Sequence, residues 1–352
     1  MKRIGNLYEK IYDMDNLKLA HIHARKGKGW YEEVKAMNKD PDKYLNLLQE
    51  MLINHTYQTS EYKTFIKKEK AKERLIYKLP YFPDRICQWA ILQAVEPYLL
   101  KFLTADTYSA IPKKGIHDCL KRVQRAVNSE SPGTKYCLKI DAKKFYPSIN
   151  HDILKAKYRR LFKDQELLWL LDEIIDSTPG DTGIPIGNYL SQYSGNFYLG
   201  AFDHWAKEVL RVKYYYRYMD DIVIFDESKE ILHNQRKQID QYFVETLKLT
   251  VKDNWQVFPT NVRGVDFVGY RVFKGYTLLR KSTATNMKRQ LRKIRRRHEA
   301  GEEISFTDFC SVQSYKGWIK HCNSYRLYKK YFEPIEPAIK EYYDKNLKGG
   351  RA

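Results

Sequence analysis

Asp220 and Asp221 stand side by side between two strand-like runs, Tyr214-Tyr215-Tyr216-Arg217-Tyr218 and Ile222-Val223-Ile224-Phe225. β-Branched and aromatic residues around a short acidic centre predict a tight β-hairpin with two carboxylates at its turn. Adjacent carboxylates repel, and the usual reason to hold them together is a divalent cation. A polar turn also accepts two Asp residues, so the rest of the chain must decide. A third carboxylate, Asp141, closes the strand-like run Tyr136-Cys137-Leu138-Lys139-Ile140. A strand end beside a hairpin can bring all three within reach of two Mg²⁺ ions, or Mn²⁺ in their place. Such ions, roughly 3.5–4 Å apart, stabilise the attacking and leaving oxygens of an in-line phosphoryl transfer.

Positioning these groups takes a mixed set of elements. The first sixty residues are polar with a helical pattern, and residues 62–77 read as two short strands around a very basic turn. Pro80 and Pro83 precede a helix over 84–102 that is apolar on most faces and therefore buried. Helical patterns follow over 152–177, 188–209 and 229–247, with a loop at Pro179-Gly180-Asp181-Thr182-Gly183. Strand-like segments cover 251–258 and 265–273, and the tail from Ser282 is helical and basic.

Lys and Arg number 63 against 43 Asp and Glu, a net charge of +20. That excess calls for a polyanionic partner, with nucleic acid the first candidate. No apolar stretch reaches the length of a membrane-spanning helix. No apolar signal core follows Met1-Lys2-Arg3, so a cytoplasmic location with no membrane partner is expected. Cys87, Cys119, Cys137, Cys310 and Cys322 form no C-x-x-C pair and read as reduced, mostly buried thiols. The spacing of Cys310, His321 and Cys322 matches no zinc pattern.

Four motifs, in order, carry a resemblance. Leu138-Lys139-Ile140-Asp141-Ala142-Lys143-Lys144-Phe145-Tyr146-Pro147-Ser148-Ile149 resembles the first catalytic motif of reverse transcriptases. Gly183-Ile184-Pro185-Ile186-Gly187-Asn188-Tyr189-Leu190-Ser191-Gln192 resembles their loop-helix motif, and Tyr218-Met219-Asp220-Asp221 their Y-x-D-D motif. Phe267-Val268-Gly269-Tyr270 resembles the primer grip. The resemblance spans roughly residues 60–340. It implies an α+β right-hand polymerase: N-terminal helices and fingers over 1–135, a palm over 136–270 with finger helices interleaved at about 152–180, and a basic helical thumb over 271–352. It also implies RNA-directed DNA synthesis from dNTPs, with template RNA and an RNA–DNA hybrid as partners.

Roles follow from the same resemblance. Asp141, Asp220 and Asp221 are the implied catalytic metal ligands. Tyr146 aligns with an aromatic gate that would clash with a 2′-OH. Lys72 and Arg74 align with finger cations that neutralise the incoming triphosphate, although Lys67, Lys68 and Lys70 are equivalent on sequence alone. Ala142, Ile186, Gly187 and Gln192 complete the implied nucleotide site, with Gly187 permitting close backbone approach. Phe267, Gly269 and Tyr270 form the implied primer grip. Trp255 stands near where the broader family carries a general-acid lysine, leaving Lys252 as the neighbouring candidate.

The loop-helix motif also marks a subtype. Ile186 and Gln192 stand where many reverse transcriptases carry Gln and Pro, a variant similar to the enzymes of diversity-generating retroelements. That likeness implies copying of a template-repeat RNA with errors at adenines, for mutagenic retrohoming, and a small basic ring-forming accessory protein. A phage-defence reverse transcriptase shares the same core. A nucleic-acid binder with the fold but not the chemistry is the third reading, and the three intact carboxylates argue against it.

In the basic tail, Met287, Leu291 and Ile294 recur at i, i+4 and i+7. Lys288, Arg289, Arg292, Lys293, Arg295, Arg296 and Arg297 crowd the other faces. One apolar stripe under a dense cationic surface predicts a helix that packs inward and tracks a phosphate backbone.

Overall fold

In the computed structural model, described over residues 2–69 and 72–348 with backbone alone for Lys68, Glu69 and Lys72, the chain is a mixed α+β structure. Four helices open it: α1 (Tyr8–Tyr12), α2 (Met14–Arg25), α3 (Glu32–Lys39) and α4 (Pro41–Ile53). The expected hairpin follows as β1 (Lys63–Glu69) and β2 (Lys72–Lys78), then α5 (Ile86–Phe102) and α6 (Ile116–Asn128). The centre runs β3 (Tyr136–Asp141), the single turn α7 (Phe145–Ser148), α8 (His151–Leu161), α9 (Gln165–Asp176) and α10 (Tyr189–Glu208). Next come β4 (Tyr214–Tyr218), β5 (Asp221–Asp226), α11 (Lys229–Leu247), β6 (Gln256–Pro259) and α12 (Thr260–Arg263). Strands β7 (Val265–Phe267), β8 (Tyr270–Phe273) and β9 (Tyr276–Leu279) precede the tail helices α13 (Lys281–Glu299), α14 (Phe306–Ile319), α15 (Tyr325–Tyr331) and α16 (Glu336–Asn346).

The central antiparallel sheet has the order β4-β5-β3-β6. Both of its faces are covered, which is why β5 reads as an unbroken apolar run instead of alternating with polar residues. Leu138, Ile140, Ile222 and Ile224 point into one core, shared with the N-terminal helices, α5, α10 and α11. Cys137, Val223 and Phe225 point into a second core, shared with α6, the β7-β8-β9 sheet and the tail helices.

The structure sharpens these expectations. The helical region over 152–177 is two helices, because Asp164 caps the second by accepting from Leu167 N at 3.2 Å. The same carboxylate also accepts from Leu7 N and Tyr8 N, at 2.7 and 3.0 Å, and so ties down the N-terminus. The strand expected over 251–258 is confined to β6, with Val251 making only an isolated bridge to Ala142. Helix α6, which precedes the expected boundary at residue 135, packs into the second core through Cys119, Leu120, Val123 and Val127. Cys87, Cys119 and Cys137 are buried as expected, while Cys310 is exposed and Cys322 half-buried. No described helix is long and apolar enough to cross a membrane.

Candidate active site

The acidic hairpin forms as the strand pattern predicts. Tyr218 pairs with Asp221, leaving Met219 and Asp220 as a two-residue turn. Such turns need positive φ and prefer Gly or Asn there; here Met219 takes it, at +57°. Next to β5 in the sheet, Asp141 is the cross-strand partner of Asp221. Pairing of the two strand ends thus sets all three carboxylates at one edge.

Their environments differ. Burial, reinforced by Asp141, raises Asp220 well above the usual carboxylate range. Burial also pushes Asp221 up to about 6, against the pull of Lys139, whose Nζ lies 3.6 Å from Asp221 Oδ1. Lys139 Nζ also donates to Asp266 O at 2.5 Å. Asp141 Oδ2 is ion-paired with Lys252, whose backbone N donates to Asp141 O at 2.8 Å. Asp141 Oδ1 and Asp221 Oδ1 are buried without a hydrogen-bond partner. Among the described residues no set of three His, Cys, Asp or Glu converges closely enough to hold a metal ion by itself. Buried hard oxygens without a hydrogen bond, beside carboxylates that resist ionisation, nevertheless suit a divalent cation whose remaining ligands come from a substrate.

Tyr146 stands half-buried beside the turn, with Oη donating to Met219 Sδ at 3.5 Å. Burial, then Asp220, pushes its phenol up. An ideal Cβ on Gly195 of α10 would lie 3.5 Å from the Tyr146 ring and 3.6 Å from Met219 Sδ, so this helix face seats both side chains. Gln192 is exposed on the first turns of the same helix, and Ile186 is half-buried just before it. Ile186 O accepts from Tyr77 N at 3.2 Å, tying the base of the β1–β2 hairpin to the loop.

The other expected site residues have these surroundings. Gly187, at φ +120°, does permit a close approach, but to Tyr77 O, 3.1 Å from an ideal Cβ. The side chain of Ala142 is buried, at 1% exposure, because the chain there bridges to Val251. Phe267 and Tyr270 are both fully buried in the second core, so of the primer-grip residues only the backbone turn between them is left to meet a ligand. Tyr270 Oη donates to Trp318 O at 2.9 Å. An ideal Cβ on Gly269 would lie 2.5 Å from the Trp318 ring, at φ +86°. Gly269→Ala is therefore expected to destabilise the protein by about 2 kcal/mol, from backbone strain plus displacement of a packed ring. Urea unfolding of the variant measures this.

Arg74 is exposed on β2 opposite Lys67. The side chain of Lys72 lies outside the described residues. On α13 the stripe Met287, Leu291 and Ile294 is buried as predicted. Lys288, Arg289, Arg292, Lys293 and Arg296 line a surface groove of about 540 Å³. Part of that face is already anchored: Arg292 Nη2 donates to Tyr331 Oη at 2.9 Å, and Arg297 Nη2 to Asp308 Oδ1 at 2.6 Å.

The sequence reading passed over Arg217. It lies on the inward face of β4 and is wholly buried against Asp203 of α10, with Arg217 Nη2 to Asp203 Oδ2 at 2.5 Å. The available signal was a charged residue at a position whose period-2 neighbour, Tyr215, is core.

The chain is 25% identical over 172 residues to protein YkfC of Escherichia coli (strain K12), covering 46% of this chain and 45% of that one. It is 23% identical over 255 residues to the group II intron-encoded protein LtrA of Lactococcus lactis subsp. cremoris, covering 68% of this chain and 41% of that one. The chain thus spans less than half the length of either relative. A solved structure of telomerase from Candida albicans with a fragment of telomeric RNA aligns with a TM-score of 0.49 at 12% identity, over 86% of this chain and 65% of that one. The family model described as reverse transcriptase (RNA-dependent DNA polymerase) matches residues 66–272, more than half of the chain and all three carboxylates, and the chain belongs to that family.

Proposed function

We propose that the chain is an RNA-directed DNA polymerase with right-hand architecture, in which β1–β2 with α8 and α9 form the fingers, the four-stranded sheet the palm, and α13–α16 the thumb. One observation carries this reading: Asp141 and the Asp220-Asp221 turn meet at paired strand ends, with two buried carboxylate oxygens that have no hydrogen-bond partner. Asp141, Asp220 and Asp221 would hold two Mg²⁺ or Mn²⁺ ions together with substrate oxygens. When bound, such ions supply charge stabilisation to a transferring phosphoryl group.

The chain's own residues do the rest. The ring of Tyr146, packed beside Met219 against Gly195, would present a flat wall to a ribose 2′-OH. Exposed Gln192 faces the incoming dNTP. Lys72 and Arg74 neutralise its triphosphate from the hairpin. Lys252, ion-paired with Asp141, would serve as the general acid toward the leaving pyrophosphate. The α13 groove tracks the RNA–DNA hybrid through its phosphates.

Within the family we assign the chain to the diversity-generating type, which copies a template-repeat RNA and works with a basic ring-forming accessory protein. Ile186 and Gln192 support this. An apolar Ile186 replaces an amide that would hydrogen-bond near the nascent pair, and a missing hydrogen bond weakens discrimination against wrong pairs. Ile186→Gln is expected to lower misincorporation opposite template adenine about tenfold or more. Sequencing of cDNA made on the genomically adjacent RNA measures it, and an unchanged adenine error rate would refute the role of Ile186.

A further inference from the structure

Met219 occupies a backbone conformation that side chains avoid, φ +57° at the turn carrying Asp220. Strain of this kind persists only where the surroundings over-determine it, and one side chain is bonded to the turn from inside. Arg217 Nη1 donates to Met219 O at 2.9 Å and to Asn196 Oδ1 at 3.1 Å. Its Nε and Nη2 form a fork on Asp203, at 2.7 and 2.5 Å, and Nη2 also reaches Thr107 Oγ1 at 3.3 Å. The acceptors are themselves fixed: Asp203 Oδ1 accepts from Tyr215 Oη at 2.6 Å, and Asn196 Nδ2 donates to Ser109 O at 2.6 Å. The backbone of Arg217 is held as well, its N donating to Asp106 O at 3.0 Å and its O accepting from Tyr108 N at 3.1 Å. A planar guanidinium with five donors can serve the turn and two helix side chains at once; an ammonium cannot.

We propose that Arg217, locked by Asn196 and Asp203, is a positioning residue for catalysis. It fixes the carbonyl of Met219, and with it the direction of the Asp220 carboxylate and the seat of Met219 against Tyr146. Rate and sugar choice are therefore coupled through one buried guanidinium. This rests on the polymerase reading above. Helix α10 supplies both halves of the coupling: Asn196 and Asp203 hold Arg217, and the neighbouring Gly195 leaves the space in which Met219 and Tyr146 pack.

The test is single-turnover primer extension with titrated active sites, using dNTP and rNTP, on the wild type, Arg217→Lys, Asn196→Ala and Thr107→Val. Asn196→Ala removes one acceptor from the guanidinium, and Thr107→Val removes another together with the Thr107 Oγ1 donor to Asp203 Oδ2 at 3.0 Å, but only Asn196 shares Nη1 with the Met219 carbonyl. Asn196→Ala is expected to slow dNTP incorporation about tenfold and cut dNTP-over-rNTP selectivity about fivefold, with dNTP affinity changed less than about threefold. Thr107→Val is expected to change rate and selectivity by less than about threefold. Arg217→Lys is expected to exceed Asn196→Ala; should it fail to fold, Asn196→Ala decides alone. A purely structural network would lower thermal stability and the number of active sites while leaving rate per site and sugar selectivity at wild-type values, and that result overturns the proposal. A wild type that extends no primer overturns the polymerase reading and this inference with it, whereas an active wild type with unaffected variants overturns the inference alone.

Discussion

Asp220→Asn is expected to abolish primer extension, by about 10³-fold or more, while making the ligand-free protein more stable at pH 8. The first effect follows from removing a carboxylate where phosphoryl charge must be stabilised. The second follows from its burial beside Asp141, which raises its pKa in the folded state. A carboxyl whose folded pKa is raised contributes stability below its unfolded pKa near 4. That contribution is lost as pH rises through the raised folded value, so at pH 8 the ionised pair burdens the fold. Each pKa unit corresponds to about 1.4 kcal/mol, so a relief of order 3 kcal/mol and a Tm gain of a few degrees are expected. The gain should shrink steadily as pH falls from neutrality toward 4. Thermal melts of both proteins across that range check the sign. A variant that loses activity and stability together at pH 8 would mean that Asp220 is structural.

Asp203→Ala should produce the largest loss of stability of any single change in the central region. Asp203 and Arg217 are both wholly buried. Removing the carboxylate strands a guanidinium that has no water to turn to. Breaking one partner of such a pair costs about 3–5 kcal/mol. Much of that cost comes from the unpaired charge, so Asp203→Ala combined with Arg217→Met should recover a large part of the loss. Denaturant unfolding of the single and double variants measures the difference. Equal losses in both would show that the charge was not the reason. The double variant also severs the bond to the Met219 carbonyl, so regained stability is not expected to bring regained activity.

The acidic hairpin, Asp141 and the order of motifs were legible in the sequence because each is local. A strand shows a period of two, and a turn shows its polar residues. The apolar stripe of α13 was legible for the same reason, at helical spacing. What escaped depends on partners far away in the chain. The buried face of α6 faces Val265, Phe267 and Tyr270, which lie some 140 residues further on. Asp164 breaks a helical pattern partly because Leu7 and Tyr8 need their N–H groups satisfied. Arg217 reads as a surface charge until Asp203 is placed opposite it on α10. The burial of Phe267 and Tyr270 in the second core likewise depends on elements distant in the chain. The close approach that Gly187 permits to Tyr77 O also depends on a distant partner, the β1–β2 hairpin.

Primer extension tests the central claim most directly. Purified wild type, Asp141→Asn and Asp220→Asn would be given a primed RNA template, dNTPs and Mg²⁺, with the proposed basic accessory protein and the adjacent RNA also supplied. The expected result is template-directed DNA synthesis by the wild type, stopped by EDTA, restored by Mg²⁺ and absent in both variants. Tight binding of the primed RNA by all three proteins, with no synthesis by the wild type under any of these conditions, would contradict a polymerase and leave a nucleic-acid binder built on the same fold.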